Sequence, residues 1–221
     1  DLDLGLDAIR TPILAKRASE SCGYAKLPDN RQGFNQYDVV ILGPCDLDGM
    51  TDTQIDSLYS FVVDRGGALI LLPGRGEYGP AGWTSQKMKT LIPMILDSNE
   101  TSVFSGDLGQ IELTLEAIDS KFINPETLKD YSDPVLPYYQ VTHSKPASTT
   151  MATIKDTPII AVHRVGRGRV CLINMSKLFL LYHEELEGGL LYEMMAGLTA
   201  HLGRITHREA GIELFAERIA D

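Results

Sequence analysis

The chain has 221 residues, 43% of them hydrophobic, which is enough to bury one good-sized core and to form one domain over residues 1–221. Its 20 lysines and arginines stand against 30 aspartates and glutamates, and the resulting formal charge of −10 opposes nucleic-acid phosphates and anionic membrane surfaces. No apolar run reaches the roughly 20 residues of a bilayer span, and Asp1-Leu2-Asp3-Leu4 lacks the pattern of a signal peptide, so a soluble segment without direct membrane insertion is expected.

In chain order, Thr11-Pro12 before Ile13, Leu14 and Ala15 reads as an N-cap with proline at the first helical position, which predicts a helix to about Ser21. Tyr37 to Pro44 contains the continuous apolar run Val39-Val40-Ile41-Leu42, the pattern of a strand buried on both faces. Thr51 or Asp52 then caps a helix with Ile55, Leu58, Tyr59 and Val62 on one side, stopped by Gly66-Gly67. A second buried strand, Ala68-Leu69-Ile70-Leu71-Leu72, leads through the glycine-dense segment from Pro73 to Gly82 into a helix near Ser85 to Leu96. This βαβα order predicts a parallel sheet.

Between Thr101 and Leu115 the pattern alternates and is broken by Ser105-Gly106-Asp107 and Leu108-Gly109, favouring an antiparallel pair or an irregular excursion. A short helix is expected over Pro125 to Tyr131, then strands at Tyr138 to Val141, Met151 to Ile154, Ile159 to Val165 and Arg169 to Ile173. The last two form a hairpin in this reading, because Gly166-Arg167-Gly168 supplies positive-φ positions for a short loop. Leu190 to Leu202 is the final helix, with Leu191, Met194, Met195, Leu198 and Leu202 on one face.

Three consecutive segments then carry a likeness to a known family: Tyr37-Asp38-Val39-Val40-Ile41-Leu42-Gly43, Phe61-Val62-Val63-Asp64-Arg65-Gly66-Gly67, and Ala68-Leu69-Ile70-Leu71-Leu72 with its glycine loop. Together with Gly79-Pro80-Ala81-Gly82-Trp83, Pro134-Val135-Leu136-Pro137, Thr157 to Val162 and Val165 to Val170, they resemble the glutamine amidotransferase-like domain of large bacterial membrane proteins that also carry a von Willebrand factor type A domain. The resemblance covers about 37–202. It implies a class I glutamine amidotransferase-like fold: a flavodoxin-like three-layer sandwich, mostly parallel, with helices on both faces and an antiparallel hairpin near its C-terminal end. It also implies that the segment belongs to a membrane-anchored bacterial protein, and a start without Met and an end at Ile219-Ala220-Asp221 fit a piece of a longer chain.

Active class I amidotransferases hold a cysteine in a GxCxG turn, where the helix N-terminus helps to activate the thiolate. The corresponding turn here is Gly74-Arg75-Gly76-Glu77, in which neither guanidinium nor carboxylate replaces a thiolate. Its glycines expose backbone N–H groups, so Gly74, Arg75, Gly76, Glu77 and Tyr78 form a candidate anion or partner site, the alternative being a structural turn. His183-Glu184-Glu185 has the HxE spacing of the other two triad members, although such spacing arises easily in an acidic chain. Cys45 follows the first buried strand and is a candidate displaced nucleophile; with no Lys, Arg or His close in sequence, an inert thiol is the alternative.

Cys22, Cys45 and Cys171 are scattered and form neither a disulfide framework nor a CxxC pair, and at most one bridge. Asp46, Asp48 and Asp52 surround Gly49 without EF-hand spacing, and His143, His163, His201 and His207 lack metal-ligand spacing, so no metal and no cofactor is expected. Trp83 reads as a lid over the core or as an exposed recognition residue. The expectation is a pseudoenzyme: a non-catalytic module that binds a ligand, other domains or proteins. Its alternative is a hydrolase or amidotransferase using Cys45 or a His183/Glu185 pair. Compartment and oligomeric state are not specified by these residues.

Overall fold

A computed structural model describes residues 13–16, 27–42, 50–72, 86–96, 104–105, 110–130, 138–139, 141–175, 178 and 189–209. The chain opens with strand β1 (Ile13–Lys16), the short helix α1 (Arg31–Phe34) and strand β2 (Val39–Leu42). Helix α2 (Asp52–Ser60) begins at a reciprocal cap, in which Thr51 Oγ1 accepts from Gln54 N at 3.2 Å and the Gln54 side chain accepts from Thr51 N at 3.0 Å. It widens into a π turn, Phe61–Arg65, and ends at Gly66 with φ 92°, immediately before β3 (Ala68–Leu71).

Helix α3 (Gln86–Leu91) stops much earlier than the predicted Leu96, because Pro93 has no N–H to continue the ladder and disfavours helical backbone at Ile92. Strand β4 (Met94–Leu96) follows, then β5 (Phe104–Ser105), β6 (Glu112–Leu113), α4 (Leu115–Ser120) and α5 (Pro125–Asp130). The last part comprises β7 (Tyr138–Tyr139), β8 (Val141–Ser144), β9 (Ser148–Ile154), β10 (Thr157–Val165), β11 (Gly168–Ile173) and α6 (Gly189–Glu209).

Seven of these strands form one sheet in the order β1-β2-β3-β11-β10-β9-β6, flanked by the pairs β4-β8 and β5-β7. The mostly parallel, flavodoxin-like sandwich is therefore corrected. Among the described residues β1, β2, β3 and β11 make three parallel pairings, whereas five pairings are antiparallel. Part of the reason is connectivity: β9, β10 and β11 are consecutive strands joined by two-residue turns, which can pair only antiparallel, while β4, β5 and β6 pair antiparallel with strands further along the chain. The sheet is mixed and the chain is an α/β protein rich in strands.

The predicted helix from Pro12 is also corrected, because Ile13–Lys16 pairs parallel with Val39–Leu42 as the edge strand. A four-residue stretch beside an open sheet edge gains ladder hydrogen bonds that its local helix signal does not match. The alternation around Thr101 to Leu115 contains β5 and β6, but they pair with β7 and β9 and not with each other.

Alternate side chains of the central strands go to two cores. Val39, Ile41, Ala68, Ile70, Cys171 and Ile173 pack with Leu190, Met194, Leu198 and Leu202 of α6. Val40, Leu42, Leu69, Leu71, Val170 and Leu172 pack with Ile55 and Leu58 of α2, Met88 and Leu91 of α3, and Phe34 of α1. The period of two in each strand thus fills both faces with apolar side chains, as expected of strands covered on both sides.

Candidate functional site

The parallel part of the sheet determines where a site can be built. Leu42 is in register with Leu71, and Leu71 with Leu172, so the carboxyl ends of β2, β3 and β11 lie side by side at one edge. The pairing runs one residue further, with Leu72 N donating to Leu42 O at 2.9 Å. The turn out of β11 is fastened by the fully buried Asn174, whose backbone N–H donates to Ile159 O at 2.6 Å and whose Nδ2 donates to Pro158 O at 3.3 Å. Open α/β sheets bind ligands at such carboxyl edges, especially where the direction of the strand order changes.

In sequence, Cys45 follows shortly after β2, Gly74 to Tyr78 shortly after β3, and His183 and Glu185 lie between β11 and α6. All of these residues, Cys45, Gly74, Arg75, Gly76, Glu77, Tyr78, His183 and Glu185, lie outside the described residues, as do Asp46, Asp48 and Trp83. The described strands show that the segments carrying them start from neighbouring strand ends. Asp52 takes the first position of α2, where a carboxylate complements the helix N-terminus.

The chemistry-bearing side chains that are described sit in the interior. Cys171, in the middle of β11, is fully buried in the core beneath α6, and burial pushes its thiol far above the ordinary value, so it is a neutral, inert thiol. His163 of β10 pairs with Val170 and therefore faces the opposite side of the sheet, towards α3. Its ring meets Leu91 O at 2.6 Å through Nε2, a distance that in the neutral form requires the proton on Nε2. Burial lowers its pKa, the Leu91 carbonyl opposes that by raising it, and the nearby Lys145 ammonium lowers it further. Cys171 and His163 thus lie on opposite faces and make no thiol–imidazole pair.

Lys145, between β8 and β9, donates through Nζ to Lys89 O at 2.7 Å and Thr90 O at 3.4 Å, and desolvation lowers its pKa. His163, Lys145 and Asn174 carry specific contacts that sequence reasoning did not find. Each lies in or beside a strand and bonds backbone far away in sequence, and only the polar residue amid apolar neighbours hints at it. Among the described residues no three of His, Cys, Asp and Glu come together as a metal site.

No protein-family model and no curated protein matches the chain. Solved structures do. A cytoplasmic protein from Salmonella typhimurium is similar with a TM-score of 0.62 and 13% identity, over 80% of this chain and 76% of that one. A second cytoplasmic protein from the same organism has a TM-score of 0.57 and 14% identity, over 80% and 76% of the two chains. Likeness at such identities speaks for a shared fold and assigns no activity.

Proposed function

We propose that this chain is a non-catalytic ligand- or protein-interaction module, amidotransferase-like but without that family's cysteine nucleophile, which works through the carboxyl edge of β2, β3 and β11. One observation carries the reading: three adjacent parallel strands end in register, and the segments that leave them hold the glycine-dense Gly74 to Tyr78 stretch and Cys45. Backbone N–H groups of such glycine-rich segments suit anionic groups of a small ligand or of a partner protein. The Gly74-Arg75-Gly76-Glu77 stretch holds no cysteine to supply a thiolate for a glutamyl thioester.

The test is ammonia release from glutamine by the purified chain beside Cys45→Ala and His183→Ala. The expected result is background release in all three, since removing a nucleophile takes away most enzymatic acceleration. Turnover that disappears in the Cys45→Ala protein would replace this reading with that of an enzyme whose nucleophile follows β2. Loss confined to His183→Ala would instead favour water activation by the His183/Glu185 pair.

A further inference from the structure

Helix α3 has no glycine cap. Its last carbonyls are met from across the fold: Lys145 Nζ donates to Lys89 O and Thr90 O, and His163 Nε2 meets Leu91 O. Just beyond the helix, Pro93 O accepts from Lys145 N at 2.9 Å and from Ser148 Oγ at 2.6 Å. The β8–β9 connection and β10 therefore hold the end of α3 against the sheet by side chains, and His163 is the buried member, 6% exposed.

The charge around His163 is one-sided. Strands β4, β8, β9, β10 and β11 and helix α3 contain no aspartate or glutamate. Their charged and titratable groups are Lys145 in the connection, Lys87 and Lys89 on α3, Arg164 on β10, Arg169 on β11, the thiol of Cys171 and the exposed His143 on β8. Lys87 is tied to Asp56 of α2, while Arg164, Arg169 and Cys171 alternate onto the other face of the sheet. A proton arriving on the buried His163 thus adds a second cation beside Lys145, and the described strands and helix around it offer no carboxylate to share it.

We infer that His163 is a proton-sensitive fastener of α3: neutral, it holds Leu91 in place, and on protonation it leaves its pocket and frees α3 from the sheet. The depressed pKa of the ring has the matching direction, because the docked form resists the proton and the undocked form, exposed to water, accepts it. The consequence is local. Among the described residues no other histidine is buried, so the sheet stays intact while α3 opens.

Amide hydrogen exchange of the whole chain tests this, comparing the peptide over residues 86–96 with that over 168–175, corrected for intrinsic rates, from about pH 7.5 down to about 5.5. Protection of 86–96 should fall several-fold towards acid while 168–175 stays protected. His163→Gln, whose amide can still donate to Leu91 O without titrating, should keep protection at both ends. Lys145→Gln, which removes the repelling charge, should make the acid loss smaller. An unchanged acid loss in His163→Gln, or equal loss in both peptides of the native chain, overturns the inference. A ring titration followed by NMR in the native chain gives a reading independent of any variant: titration of His163 at or above the ordinary histidine value overturns it as well.

Discussion

Gly166 and Gly168 flank the turn between β10 and β11 for different reasons. Gly166 has φ 59°, and a Cβ there would lie 2.6 Å from Val63 O. A positive φ at the first central position alone is the mark of a type II′ hairpin turn. Gly168 is not in the left-handed region; it is glycine because a Cβ would lie 2.3 Å from Gly67 O and 2.4 Å from Val62 O. Both contacts are with backbone, which cannot swing aside. Gly168→Val should therefore cost about 3 kcal/mol or more, and Gly166→Val about 1–3 kcal/mol, both as lowered denaturation midpoints. A neutral Gly168→Val would show that the hairpin does not press against the π turn as described.

His163 also leaves a mark on overall stability. Its folded pKa is lowered from 6.5, so the unfolded chain binds the proton more readily. This contribution to stability is present above the unfolded value and is lost as pH falls from there through the folded value. Urea unfolding of the native chain should show a decline below about pH 6.5 that is reduced in His163→Gln.

At the scale of elements, the hairpin that sequence patterns did not mark is β9–β10. Lys155 and Asp156 join these strands with φ of 46° and 66°, so both central residues of a two-residue loop are left-handed, as a type I′ turn demands. Neither residue is glycine, and each pays for a backbone form that Asn-Gly would adopt at less cost. Replacing Lys155 by Asn and Asp156 by Gly should raise stability by about 1 kcal/mol, measured by denaturant midpoint at unchanged slope. Destabilisation would mean that contacts of the Lys155 or Asp156 side chain outweigh the turn. The start of α2 runs the opposite way: Thr51→Ala removes the cap on Gln54 N and should lose about 1 kcal/mol.

Across the whole molecule, two cores share one set of strands. Val39 and Val40, or Ile70 and Leu71, are neighbours in the chain yet belong to opposite cores. Unfolding one side therefore exposes the strands that support the other, which predicts one cooperative transition. Leu198→Ala beneath α6 and Leu58→Ala beneath α2 should each cost about 2–5 kcal/mol and shift the same transition seen by near- and far-ultraviolet circular dichroism. Two separate transitions in either variant would divide the fold into independent halves. No described helix is long and apolar enough to cross a membrane.

Much of this architecture was legible locally. Val39 to Leu42 and Ala68 to Leu71 are continuous apolar runs and became buried strands, the capping residues Thr51 or Asp52 marked the start of α2, and the Gly166-Arg167-Gly168 turn joined β10 to β11. These signals are short-range: burial periodicity, caps and turn chemistry are written within a few residues. Ile13–Lys16 was misread because its strand exists through pairing with β2, a partner distant in sequence. The direction of pairing in the sheet was likewise decided only when β11, after its long excursion, settled beside β3. The same holds for the candidate site. Sequence named Cys45 and Gly74 to Tyr78 one by one, whereas the tertiary structure made the strands before them neighbours and sent Cys171 and His163 to opposite faces. Composition and local pattern determine which segments become strands and helices, because those choices are made by nearby residues; strand order and the company a side chain keeps depend on closing loops of many residues, and that is settled by the fold as a whole.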